Sequence, residues 1–306
     1  MLKAMENAAQ QLGLKSEKGL VAYGSYQGYT VLIRTDKDNR NAVSIHFAVC
    51  ADGAEAGTVD AGKYGLPSDV SVMGVKYKQI AQFTGGKKRE ENTQKIVQAV
   101  KAMVNAFLAE GLRNCDEKGV TGLTDVYLVQ GEYFILSDIT AQEIQAAVNS
   151  KKRELQNVRE NPVLGIVGAM IGSLAGIAII FILGRLRIVS MLGGVALGFG
   201  IVLGYQKLGK KLGTFGMIFC SILAVVMTYV AFRLDAGFDV WRAWEGELTF
   251  AESIRYTKET FKLADSMDTY VKNLILMMLF GVGGAIAAIW GEASGVKTQT
   301  QMKKMS

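Results

Sequence analysis

Hydrophobic and polar positions follow two different rhythms on either side of Pro162. Before it the apolar positions are periodic and sparse. MLKAMENAAQQLG has the spacing of an amphipathic helix over about 2–12, and GLVAYG, YTVLIRT and AVSIHFAV read as strands. In the last of these Val43, Ile45, Phe47 and Val49 alternate with Ser44, His46 and Ala48, the period of a half-buried strand. This places His46, the single histidine, on the polar face as an ordinary exposed residue. DKDNRN between the second and third strands is turn-forming, so a hairpin is expected there. Residues 51–90 carry no clear period, and GGKKRE reads as a solvated turn before a helix. Its glycines lack the spacing and the closing Lys-Ser/Thr of a phosphate loop. Over 91–112, Ile96, Val97, Val100, Val104, Phe107 and Leu108 share one helical face. A hairpin around Gln130–Gly131 follows. A helix then runs to about Glu160, started by a Thr140/Glu143 capping box with Ile139 and Ile144 as staple.

Beyond Pro162 the apolar positions run together in four segments, at about 163–183, 188–206, 213–232 and 272–290. Each reaches or approaches the twenty residues that a hydrocarbon core of roughly 30 Å requires. Asn161 and Pro162 suit the N-cap and first position of the first helix. Gly165, Gly168, Gly172 and Gly176 hold a 3-4-4 spacing and stay within about 80° of arc. Gly193, Ala196, Gly200 and Gly204 repeat it 28 residues later; Gly213, Gly216, Cys220 and Ala224, then Gly281, Gly284, Ala288 and Gly291, come close to it. In lipid the apolar effect gives helices no reason to associate, so close backbone approach at small residues must supply it. The stripes are therefore expected to be helix-packing faces. A narrow path for an ion or solute is the alternative, with Ser173, Ser190, Ser221 and Thr228 as the polar groups in the spans.

The loop 233–272 is the expected functional surface of this half. Trp241 and Trp244 sit where aromatic residues anchor at headgroups. Thr249 and Glu252 form a capping box for an amphipathic helix over 249–263, with Phe250, Ile254 and Phe261 on its apolar face. Such a helix lies on the bilayer, covers the bundle as a lid, or serves as a packed connector.

Composition sharpens the division. The 306 residues are 50% hydrophobic and 20% charged, with the charge concentrated before Pro162. A net charge of +6 is too modest for nucleic acid to be expected, and lysines facing anionic lipid explain it better. Cys50, Cys115 and Cys220 make no disulfide framework, which fits a reducing compartment. The first residues lack an apolar core of signal-peptide length. Ten Lys and Arg flank the four segments on the side of the termini, against eight on the other side, where Arg185 and Arg187 stand. That bias puts both termini in the cytoplasm.

The stretch 114–145 has the outline of a zinc ribbon without its ligands. Two Cys-x-x-Cys knuckles would fall at Cys115 with Lys118 and at Ser137 with Thr140, where one sulfur remains. Together with GIVGAMIGSLAG (165–176), GGVALGFGIVLGYQKLGKKLG (193–213) and LTFAESI (248–254), residues 115–290 resemble a group of uncharacterised bacterial membrane proteins. Those carry a cytosolic zinc-ribbon-like hairpin followed by a glycine-rich four-helix membrane region. The resemblance implies a topology and no activity, and residues 1–114 lie outside it.

The expected architecture is an α-helical integral membrane bundle of four transmembrane helices with an N-terminal soluble α+β domain. Its parts are a soluble domain over 1–160, including the degenerate hairpin at 114–145, a membrane domain over 161–291, and a flexible polar tail over 292–306. The expected setting is a bacterial plasma membrane, with the lipid bilayer, a homo-oligomer and a cytosolic protein as partners. Neither metal nor other cofactor is expected, and no residue is assigned a catalytic role. The expected function is non-enzymatic binding, assembly or sensing, with a small transporter or channel as the alternative. A membrane enzyme would need a paired acid, a serine–histidine arrangement or a metal cluster.

Overall fold

A computed structural model describes residues 1–36, 38–185, 190–245 and 247–305. Leu186, Arg187, Ile188 and Val189, which include one counted charge and the start of the second apolar segment, lie outside the described residues. The chain forms two compact units, Met1–Lys152 with Thr298–Ser306, and Arg153–Lys297.

The first unit is layered. Helices α1 (Leu2–Leu12) and α2 (Arg89–Ala109) cover one face of an antiparallel eight-stranded sheet. Its main path runs β1 (Lys15–Glu17), β2 (Val21–Tyr26), β3 (Tyr29–Thr35), β4 (Ala42–Ala51), β7 (Lys78–Thr84), β6 (Ser71–Val75). The short β5 (Ala54–Glu55) and β8 (Arg113–Asn114) pair with the far end of β4. Alternation along β3 and β4 turns Val31, Ile33, Val43, Ile45 and Phe47 toward Met5, Ile96, Val100, Met103 and Phe107. The helix and strand expectations for this half meet the structure within a few residues.

Residues 51–90 resisted reading because β7 inverts the usual pattern. Gln79 is fully buried, its amide donating to the Gly57 carbonyl and accepting from the Val59 N–H. A buried glutamine satisfied by a loop reads, in sequence, as a solvent position.

The sheet's other face carries a second core of Val21, Tyr23, Leu32, Ala48, Cys50 and Cys115 against Val126 and Ile135. Those last two belong to β9 (Thr124–Val129) and β10 (Glu132–Ser137), a hairpin turned by Gln130 and Gly131 at φ 52° and 87°. This left-handed pair is why glycine follows the turn's first residue. Helix α3 (Asp138–Asn157) packs on the hairpin's far side through Ala141 and Val148.

Three expectations fail in this unit. His46 is half-buried, because the hairpin covers much of the face taken to be solvated. The Thr140/Glu143 capping box does not form: α3 begins at Asp138, and Ser137 Oγ accepts from the Thr140 N–H, so Ser137 acts as the cap. Glu143 turns instead to Lys118 (3.0 Å), and Ile139 is 65% exposed rather than stapled. Finally, the segment expected as a flexible tail is structured to Met305. Its helix continues to Gln299, and β11 (Met302–Lys304) then pairs with β9 as a third strand of the small sheet.

The second unit holds α4 (Pro162–Arg185), α5 (Ser190–Gly209), α6 (Thr214–Ala243), α7 (Phe250–Leu263) and most of α8 (Met267–Gln299). Four of them, α4, α5, α6 and α8, are long and apolar enough to cross a membrane. Asn161 caps α4 as expected, its side-chain oxygen accepting from the Leu164 N–H at 3.2 Å. Gly213 is the N-cap of α6 rather than part of its interior, and α6 runs past the expected end at 232 to Ala243.

Candidate binding cleft and the polar anchors

A cleft of about 970 Å³ opens on the part of the large sheet's second face that the hairpin leaves uncovered. Its floor includes Arg34, Ser44, His46, Ile80 and Gln82, and Gly131, Glu132 and Tyr133 at the hairpin tip form a wall. Strand register explains the central cluster. Arg34 pairs with Ser44 across β3 and β4, and Leu32 with His46, so Arg34 and His46 are diagonal neighbours on one face. Arg34 Nε donates to His46 Nε2 at 3.1 Å, and Ser44 Oγ lies 2.9 Å from the same nitrogen. Arginine can only donate, so Nε2 is the acceptor and the ring proton sits on Nδ1. Burial, then the charges of Arg34 and Lys78, lower the pKa of His46 to about 3. Arg34 Nη1 also meets Glu132 across the cleft at 3.3 Å, a half-exposed pair of small energetic weight.

The shift of His46 has a measurable sign. Unfolded, its imidazole takes up a proton near pH 6.5, whereas the folded ring resists protonation until about pH 3. Its contribution to stability is therefore full above pH 6.5 and is lost as pH falls from there toward 3. A ¹⁵N-edited NMR titration should show a neutral ring from pH 8 to 5; a midpoint near 6.5 would refute the arrangement.

Asp116 is the polar centre of the ribbon-like stretch, and sequence reasoning missed it. It is fully buried. Its Oδ1 accepts from the N–H groups of Lys118 (2.8 Å) and Val120 (2.9 Å). Its Oδ2 accepts from Ser137 N–H (3.3 Å), Ser137 Oγ (2.7 Å) and Thr140 Oγ1 (2.5 Å). Three of the four positions set out for ligands thus converge on a carboxylate. The fourth, Cys115, is buried beside Cys50. Burial above all, with Cys50 next, raises its pKa far above the ordinary thiol range, so its sulfur stays a neutral thiol. Among the described residues no three His, Cys, Asp or Glu side chains gather as a metal-holding group.

In the helical unit the predicted stripes of α4 and α5 meet. A Cβ on Gly168 would run into the Gly204 carbonyl, one on Gly172 into the Gly200 carbonyl, and one on Gly176 into Leu197. Gly165 lies against the Tyr205 ring, Gly193 against Ile180, and Ala196 is half-buried. The α8 stripe meets a second face of α5 that sequence reasoning overlooked. Gly281 and Gly284 stand against Gly194, Val195 and Gly198, Gly281 also touches Thr228 of α6, and Ala288 is buried.

Of the expected lipid-facing residues of α7, Ile254 and Phe261 turn inward and Phe250 stays 38% exposed. Ile254 rests on Gly237, Phe250 lies 6.4 Å from the Phe238 ring, and Phe261 lies 5.2 Å from Tyr270. The Thr249/Glu252 capping box is present, and Arg233 Nη2 donates to the Ile254 carbonyl. Trp241 and Trp244 are 37% and 45% exposed at the end of α6.

Glu160 is a second overlooked anchor. Its Oε1 accepts from Tyr205 Oη (2.7 Å) and from the N–H groups of Gly213 (3.1 Å) and Gly216 (3.2 Å), closing the start of α6. Two hydroxyls spend their bonds on their own helix, Ser173 on Met170 O and Ser221 on Met217 O.

No protein-family model, curated protein or solved structure matches this chain.

Proposed function

We propose that the chain is a non-enzymatic multi-pass protein of a bacterial plasma membrane, with both termini cytoplasmic, that binds a polar ligand or partner in the cleft of its soluble unit. The observation that carries this reading is the state of His46. Its Nε2 is already engaged by Arg34 and Ser44, and its ring is held neutral, so it is placed to recognise a group rather than to move a proton. The mixed-sign lining, with Asp36, Asp38, Asp69 and Glu132 beside Arg34 and Arg40, suits a ligand bearing both donors and acceptors. The denser positive flank at the termini supports the orientation. Gly283, on the face of α8 opposite Gly281, has open space beside it, which supports assembly of copies through that helix, whereas Gly291 of the expected stripe meets no neighbour.

Native mass spectrometry of the protein released from nanodiscs made with its source membrane tests both parts. A species retained at fixed ratio by the wild type, and lost in Gln82→Trp, is the expected result. Gln82 is an exposed floor residue, and indole there fills the cleft without removing a side-chain bond. Retention unaffected by the tryptophan, or no retained species, would refute binding in the cleft.

A second reading, conduction of an ion or solute, rests on Gln206 Nε2 and Thr228 Oγ1, which are buried without a hydrogen-bond partner among the described residues. Thr228→Val separates the two. Removing an unsatisfied hydroxyl should raise stability by about 1 kcal/mol if the helices only pack. A proteoliposome flux abolished by the same change would favour conduction.

A further inference from the structure

The segment that follows α8 touches the cleft through the hairpin turn. Gln301 O accepts from the Gln130 N–H at 2.9 Å, and Gln299 O accepts from Gln130 Nε2 at 3.2 Å. The Cα of Gly131 comes so near Thr298 that a Cβ there would stand 3.1 Å from its Cγ2. Gln130 and Gly131 are the turn that delivers Glu132 and Tyr133 to the cleft wall. From this turn the segment runs antiparallel to β9, with Met302 opposite Val129, Lys303 opposite Leu128 and Lys304 opposite Tyr127.

Its side chains are read as closely as its backbone. Met302 packs against the Tyr127, Val129 and Leu136 cluster, and Met305 is 4% exposed among Val126, Ile135 and Cys115. Between them Lys304 Nζ sits 2.6 Å from Asp125, 3.6 Å from Asp138 and 5.7 Å from the Tyr127 ring centroid. Yet the hold is light. Three ladder pairs tie β11 to β9, against six between β9 and β10; Lys304 and Asp125 are about half-exposed and Asp138 is mostly exposed. Short edge strands and exposed ion pairs lie at the low end of local stability.

We propose that the β9 edge is a strand-addition site for an extended apolar–basic–basic–apolar segment, occupied here by Met302–Met305, and that this segment is a releasable strap which sets the cleft wall. Main-chain pairing supplies the attraction, and the Asp125–Asp138 pair and the two methionine pockets supply the selectivity. Docking of the strap and occupancy of the cleft share one turn, so each must bias the other. The link to the cleft rests on the binding reading above; the strand-addition site does not.

The test uses the full chain and a truncation lacking residues 299–306, both in nanodiscs, with a fluorescein-labelled peptide of residues 299–306. The truncated chain should bind the peptide saturably, and the full chain at least ten-fold more weakly because its edge is filled. Peptides carrying Lys304→Glu or Met305→Asp should bind the truncated chain at least ten-fold more weakly. Hydrogen exchange at the Gln130 amide should quicken at least ten-fold on truncation and return to its full-chain rate with peptide. Equal binding by both chains, or no binding by a truncated chain that keeps its β9–β10 protection, would overturn the proposal. Loss of that protection on truncation would overturn it too, by showing β11 to be integral. None of these readings needs a cleft ligand, so an empty cleft would refute the binding reading alone.

Discussion

Gly172→Leu is expected to separate α4 from α5 and to cost about 4 kcal/mol or more. The Cβ of any residue there falls on the Gly200 carbonyl, which is backbone and cannot rotate away. Ordinary overpacking costs ~1–3 kcal/mol because neighbouring side chains give. Here two helix axes must part, and the neighbouring contacts of Gly168 with Gly204 and Gly176 with Leu197 would be lost with them. Gly291→Leu is the control: it changes the same residue type on an apolar helix, at an exposed site with nothing within 4 Å. Thermal unfolding in detergent, followed by size-exclusion chromatography, should show a large fall in midpoint for the first and a small shift for the second. A Gly172→Leu protein as stable as the control would remove the packing argument for the α4–α5 stripe.

Asp116→Ala should cost the first unit about 3–5 kcal/mol. Five donors lose their acceptor at once in a site without solvent. Ser137 and Thr140 hold the start of α3, and Lys118 and Val120 hold the preceding loop, so the loss should spread to both. The pH dependence has a definite direction. Burial alone would raise the Asp116 pKa, but the bonds from Thr140, Ser137, Val120 and Lys118 outweigh it and leave it below the ordinary carboxylate value of 3.8. The stabilisation is therefore full above about pH 4 and lost as pH falls below it. Urea unfolding at pH 7 and pH 3 measures both effects, and the gap between wild type and Asp116→Ala should narrow at the lower pH. An equal gap at both values would mean that the carboxylate's charge is not what the five donors hold.

Periodicity made the elements legible where one face was apolar and the other polar. The α1, β3, β4 and α2 segments follow that rule, whereas the four long helices were legible from the length of their unbroken apolar runs. It failed where a polar group is buried and satisfied from a distance. Gln79 hid β7, Asp116 hid the latch of the ribbon-like stretch, and Glu160 hid the start of α6. In each case the bonding partners lie elsewhere in the chain or on its main chain, and main-chain donors leave no trace in residue type. The stripes of α4 and α5 could be read from spacing, but Gly194 and Gly198 were absorbed into the same glycine-rich run. Which face meets which helix depends on three-dimensional neighbours. The cleft was invisible for the same reason: Arg34, His46 and Glu132 meet only through strand register and a hairpin that folds over the sheet.

β11 gives the molecule an order of manufacture. The first unit is made of Met1–Lys152 and of a short piece that the ribosome reaches only after residues 153–297. At ~5–20 residues per second that interval lasts on the order of ten seconds. Throughout it β9 has one neighbour and one bare edge, of the kind that recruits stray strands. The nascent chain is therefore exposed at β9 for as long as its helical unit takes to be translated, and the arrival of Met302–Lys304 ends that exposure.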